Sequence, residues 1–342
     1  MDQQKTFIWG YRLALWATAL ACVVVVLGAF TRLSDAGLGC PDWPGCYGHL
    51  TWPTTHEHVV AAEALFPEAP VEHDKTWPEM VHRYFAGGLG LLILALCALT
   101  WWRSQTCSEQ LPKWHALGLL VLVVVQAAFG MWTVTLKLWP QVVTAHLLGG
   151  FATLSLLWLL SLRLGQKRWQ LSAHSYARCQ RLRPLIVVSV LLLIVQVALG
   201  GWTSSNYAAL ACSDFPTCHG QWWPAMDVAR GFNLAQHIGP NYLGGLLEGE
   251  ARTAIHMAHR LGALAVTLSV LLLALRVLQI GGQAKPIGLL LLAVLALQVG
   301  LGITNVLAQL PLSVAVAHNA GGALLLLVLL TLTQRAYTAQ SG

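Results

Sequence analysis

Glu79-Met80-Val81-His82-Arg83 opens residues 79–102, EMVHRYFAGGLGLLILALCALTWW, where an acid, a histidine and an arginine run straight into an uncharged apolar stretch ending at Trp102. A stretch of that length is enough, as a helix, to cross the roughly 30 Å hydrocarbon core of a bilayer. The pattern predicts a transmembrane helix with a polar cluster at its mouth. A second version, His256-Met257-Ala258-His259-Arg260, stands in the other half of the chain, keeps the histidine–arginine pair and has His256 where the first has Glu79.

Working outward, the same type of stretch recurs. The 342 residues are 56% hydrophobic and only 10% charged, far below the roughly one quarter usual for soluble domains. Eight spans are expected: about Leu13–Phe30, His82–Trp102, Trp114–Leu136, Val142–Leu162, Arg183–Ser204, Ile255–Leu278, Pro286–Leu307 and Ser313–Gln334. The first is too long, and lacks the small-residue cleavage signal, for a removable signal peptide, so it is expected to stay as a helix. Basic residues mark the cytoplasmic side of membrane proteins. Here Lys5, Arg12, Arg103, Lys113, Arg163, Lys167, Arg168, Arg178, Arg181, Arg183, Arg276, Lys285 and Arg335 fall at the two ends or in the even loops, so both termini are expected inside. All acidic residues except Asp2 and Glu109 fall on the other side. The net charge of +6 is therefore a topology signal, and it is no pointer to nucleic acid.

The chain repeats itself. At an offset of 172, Leu27, Gly28, Thr31, Ala36, Leu38, Cys40, Asp42, Pro44 and Cys46 match Leu199, Gly200, Thr203, Ala208, Leu210, Cys212, Asp214, Pro216 and Cys218, and Gln126, Gly130, Val134, His146 and Gly149-Gly150 match Gln298, Gly302, Val306, His318 and Gly321-Gly322. Identities at one offset imply duplication. Four spans make an even unit, so the second copy enters the membrane in the same direction as the first. The expected fold is an all-α integral membrane protein of eight transmembrane helices, arranged as two parallel-repeat four-helix bundles. Residues 1–165 would form the first bundle, 166–182 a basic cytoplasmic linker and 183–342 the second bundle.

Long loops follow the first and fifth spans. Each carries a C-x5-C pair, Cys40 with Cys46 and Cys212 with Cys218, on the side where an oxidising compartment permits disulfides. Two local clips are expected, with structural stapling favoured over redox work. Cys22, Cys97, Cys107 and Cys179 are expected to stay reduced.

Of the 13 histidines, most lie in loops or at helix ends. His82, His146, His256, His259 and His318 lie in spans, where an ionisable group is costly and functional by default. Each half offers one histidine on its second span and one on its fourth. Two imidazoles facing each other across a bundle suit a six-coordinate haem iron. Glycines after these histidines let a flat macrocycle approach, although close helix packing explains them equally well. Glu79, three residues before His82, would face the same cavity. Arg83 and Arg260 would pair with porphyrin propionates or reach to the interface.

G-C-P-D-W-P-G-C at 39–46, E-M-V-H-R at 79–83, T-A-H-L-L-G-G at 144–150, H-M-A-H-R at 256–260 and A-H-N-A-G-G at 317–322 occur in this order within a duplicated eight-span plan. In that combination the chain resembles the haem A synthase family of cytochrome oxidase assembly enzymes. The resemblance implies oxidation of a ring methyl group of haem O to the formyl group of haem A. It implies a substrate haem O in the amino-terminal half between His82 and His146, and a permanent haem b in the carboxyl-terminal half between His259 and His318. It matches Glu79 to the family's functionally important acid, a catalytic residue that either positions the macrocycle or moves protons, and Arg83, His256 and Arg260 are expected as cofactor-binding residues. The implied partners are haem O, the enzyme that produces it, an unidentified electron donor, the lipid bilayer and optionally further copies of the chain, in a bacterial-type cytoplasmic (inner) membrane. Two other classes stay open on the residues alone: a dihaem b-type electron-transfer protein without ring chemistry, and a transporter built from repeated bundles.

Overall fold

The computed structural model describes residues 2–106 and 112–342, with side chains described over 9–104 and 112–342. Cys107 and Glu109, and the side chains of Asp2 and Lys5, lie outside the described residues. The protein is mostly helical: α1 (Asp2–Leu33), α2 (His56–Leu65), α3 (His73–Thr106), α4 (Lys113–Thr135), α5 (Pro140–Gly165), α6 (Ala173–Ser205), α7 (Val228–Gly231), α8 (Gly249–Ile280), α9 (Lys285–Leu307) and α10 (Leu312–Thr338). Among the described residues, eight helices are long and apolar enough to cross a membrane, α1, α3, α4, α5, α6, α8, α9 and α10. Leu91 is 69% exposed and Leu268 59%. Large apolar side chains in such numbers on the outside of helices are stable in lipid and costly in water.

The expected spans are all present, and several run beyond their expected ends. α3 begins at His73, so Glu79 and His82 stand inside the helix and away from its mouth. The polar residues His73, Asp74 and Lys75 hide this start, yet Asp74 suits the positive end of the helix dipole. α6 begins at Ala173, ten residues before Arg183, because Ser172 caps it: its carbonyl accepts from Tyr176 N at 2.8 Å and its hydroxyl from Ser175 N at 3.4 Å. Residues 166–182 are thus largely ordered. Within them β1 (Gln170–Leu171) pairs in parallel with β2 (Gln340–Ser341). The first long loop also holds the short helix α2, capped by the Thr55 hydroxyl, which accepts from His58 N at 3.3 Å.

Contacts divide the chain into two compact units. One comprises Met1–Leu154, Ser204–Tyr207 and Phe232–Glu248, the other Ser155–Thr203, Ala208–Gly231 and Gly249–Gly342. In the first, α1 packs on α3 and α3 on α4. In the second, α9 packs on both α8 and α10.

Candidate functional site

Both loop disulfides form, Cys40–Cys46 and Cys212–Cys218, and Cys22, Cys97 and Cys179 are free. The two loops share one construction. The Asp42 carboxylate accepts from Tyr47 N at 2.6 Å and Gly48 N at 2.8 Å, and Asp214 accepts from His219 N at 2.7 Å and Gly220 N at 3.0 Å. The turn these bonds close needs a left-handed residue pair, with φ near +54° at Tyr47 and +53° at His219, each followed by a glycine at positive φ. Asp214 accepts also from the Thr217 hydroxyl at 2.6 Å. These donors, the Thr217 hydroxyl first and Gly220 N–H next, pull the Asp214 carboxyl down to about 2. Burial, with Glu72 and Glu63 nearby, pushes the Tyr47 phenol up to about 12.

The arginine of each motif grips the loop above it. Arg83 Nη1 donates to the carbonyls of Asp42 at 3.0 Å, Pro44 at 3.2 Å and Gly45 at 2.5 Å, while Nη2 pairs with Glu79. Arg260 donates to the carbonyls of Thr217 at 2.8 Å and Asp214 at 2.7 Å. The planar fork of guanidinium suits this multiple grip, which the ammonium of lysine cannot reproduce. The methionine of each motif completes the joint: Met80 is buried with Cys40, Cys46 and Tyr47, and Met257 with Cys212 and Cys218.

Glu79 is 4% exposed. Its carboxylate accepts from Cys40 N at 2.9 Å and from Arg83, so the acid is held between α3 and the disulfide loop. His256, its counterpart, is 5% exposed and donates from Nδ1 to the Ala208 carbonyl at 2.9 Å. Where the first motif ties a carboxylate to the loop, the second ties an imidazole to the turn that follows α6.

The remaining four histidines form two pairs. His82 on α3 and His146 on α5 are near enough for their charges to feel each other, as are His259 on α8 and His318 on α10. Every one of the four rings lies against a glycine of a neighbouring helix. A Cβ at Gly28 would stand 2.9 Å from His82 Cε1, at Gly302 3.1 Å from His318 Cε1, at Gly200 3.3 Å from His259 Cε1 and at Gly130 3.6 Å from His146 Cε1. Among the described residues, Nδ1 of His82, His146 and His318 is buried and has no hydrogen-bond partner. A buried polar atom left so is costly unless a ligand completes its surroundings. Two imidazoles set against helix glycines are a donor set that suits haem iron. Among the described residues, no three or more His, Cys, Asp and Glu side chains cluster to hold a metal ion.

Residues 11–330 match the model of a family described as cytochrome oxidase assembly protein. The chain belongs to that family. Within this family of cytochrome oxidase assembly proteins, it is 49% identical over 324 residues to a haem A synthase of Shewanella oneidensis, covering 95% of this chain and 94% of the relative. It is 28% identical to a haem A synthase of Rhizorhabdus wittichii, over 93% of this chain and 92% of the relative. A haem A synthase of Caulobacter vibrioides is 26% identical, over 92% and 93% respectively.

The five histidines within spans, Glu79 and both arginines are legible in the sequence as site residues; the helix glycines that face the rings are not. Gly28, Gly200, Gly130 and Gly302 were visible as identities at the 172 offset. Their spacing to histidines far along the chain is a matter of packing, which the repeat alone does not reveal.

Proposed function

We infer that the chain is a haem A synthase, oxidising a ring methyl group of haem O to the formyl group of haem A. The observation that carries this is the pair of half-buried histidines in each unit, set against helix glycines, in a chain of this family. In this reading His82 and His146 bracket the iron of the substrate haem O, while His259 and His318 hold a resident haem b. Bound haem supplies the redox chemistry that side chains lack.

The chain's own residues bind, orient and move protons. Glu79 is the candidate catalytic acid, and its bonds to Cys40 N and Arg83 fix it as part of the disulfide loop. Arg83 and Arg260 are assigned to loop clamping, because their donors engage loop carbonyls. His256 takes a corresponding structural place beside the second site. The division of labour is 1–165 for the substrate half, 166–182 for the linker and 183–342 for the haem b half. The shared loop construction and the distribution of basic residues support a parallel repeat with both termini in the cytoplasm of a bacterial-type inner membrane. Haem O, its producing enzyme, an electron donor and further copies of the chain are the partners this reading implies.

The likeness of the two histidine pairs favours one other reading, a dihaem electron-transfer protein. Pigment extracted from protein made beside a haem O-producing enzyme separates them. Formyl-bearing haem supports the synthase, and two unmodified haems with no formyl product would overturn it.

A further inference from the structure

Both units carry the same helix motif opposite their histidines, with one exception. Gln126 precedes Gly130 by four residues, Gln196 precedes Gly200 and Gln298 precedes Gly302. Each glutamine lies over a glycine placed three residues after a histidine: Gln126 over Gly149, Gln196 over Gly262 and Gln298 over Gly321. A Cβ at any of these glycines would collide with the amide. At His82 both members differ. The residue four before Gly28 is Val24, and the residue three after His82 is Phe85.

The contrast falls on one histidine of each pair. His146 and His318, the fourth-span histidines, both have the glutamine–glycine arrangement, so these positions do not distinguish the units. His259 has it and His82 lacks it. Gln196 Nε2 lies 3.1 Å from His259 Nδ1 and donates to the His259 carbonyl at 3.0 Å, so one amide grips both the ring and the backbone that carries it. On the α1 side, the His82 ring lies beside Gly28 and the main chain of Val24, and among the described residues no side chain bonds its Nδ1. Outer partners of a ligand histidine fix its ring plane and hold it in place.

We propose that Gln196 is a positioning residue that locks the His259 imidazole, whereas Val24 and Phe85 leave the His82 imidazole free to detach, so that His82 is an exchangeable ligand in the first site and His259 a fixed one in the second. This deepens the functional reading above and rests on it. A haem that must enter, react and leave needs a displaceable ligand. A resident haem needs the opposite.

The probe is carbon monoxide, which takes an axial position on ferrous haem only where a histidine leaves. Purified holoprotein carrying its resident haem, once reduced, should react slowly with the gas, and Gln196→Val should react about 10- to 100-fold faster at undiminished haem content. In protein loaded with haemin and reduced, the reactive first site of wild type should slow by a similar factor in Val24→Gln/Phe85→Gly. A Gln196→Val protein that holds haem and reacts as slowly as wild type would overturn the proposal. Should that variant fail to retain haem, the double variant decides, and an unchanged rate at its first site would overturn it. Failure of the underlying reading is separate and is seen before any gas is added, as wild-type protein that holds no haem.

Discussion

Adding one methyl group at each ring-facing glycine should grade the four histidine sites by distance. A Cβ at Gly28 would sit 2.9 Å from the His82 ring, closer than carbon atoms pack, whereas at Gly130 it would meet His146 at an ordinary 3.6 Å. Overpacking of this type costs about 1–3 kcal/mol, which at about 1.4 kcal/mol per decade is about 5- to 150-fold in binding. Alanine also favours a helix interior over glycine by about 1 kcal/mol, so a loss cannot come from a weakened helix. Gly28→Ala should therefore displace the His82 ring and lower haem retention in the first unit. Gly302→Ala and Gly200→Ala, at 3.1 and 3.3 Å, should have intermediate effects on the second, and Gly130→Ala should be close to wild type. The assay is haem content per protein with the low-spin absorption spectrum, after titration with haemin. Equal losses at Gly28 and Gly130, or none at Gly28, would refute the claim that these glycines seat the imidazoles.

Replacing Glu79 with Ala should leave haem in the second unit while stopping formyl haem production, read from extracted pigment; full production would remove Glu79 from the chemistry. Arg83→Lys should release carbonyls of the first disulfide loop at a cost of about 1–3 kcal/mol, seen as faster proteolysis within residues 34–72. The Asp214 carboxyl lies below its ordinary value, at about 2, so its contribution to the second loop is complete above about pH 4 and is lost as pH falls towards 2. Loop proteolysis by an acid-active protease should rise through that window, and Asp214→Asn should flatten the dependence.

The spans, the duplication and the two disulfides were legible because each depends on a local or periodic signal: apolar length, identity at one offset, and cysteine spacing on one side of the membrane. Helix starts were less so. Ser172 and the polar first turn of α3 look like loop by hydropathy, yet the Ser172 cap suits a helix start at Ala173 and Asp74 in the first turn suits one at His73. The histidines declared themselves because charge in a span is rare. The directions of Glu79 and Arg83 did not. Helical spacing puts Glu79 on the His82 side of α3, but an amide donor from Cys40 and a neighbouring guanidinium draw the carboxylate to the loop. Chemistry alone leaves Arg83 and Arg260 between propionates and the interface; in the structure their donors lie on carbonyls of the loop turns. Gln196 looks like one more polar residue in α6 until its contact with His259, far along the chain, gives it a role.

Pigment analysis of single histidine variants tests most directly whether two like sites have different fates. His82→Ala and His146→Ala should each abolish formyl haem while keeping the resident haem b, and His259→Ala and His318→Ala should each lose haem b. Formyl haem at wild-type level from His82→Ala, or full haem b content in His259→Ala, would contradict the account.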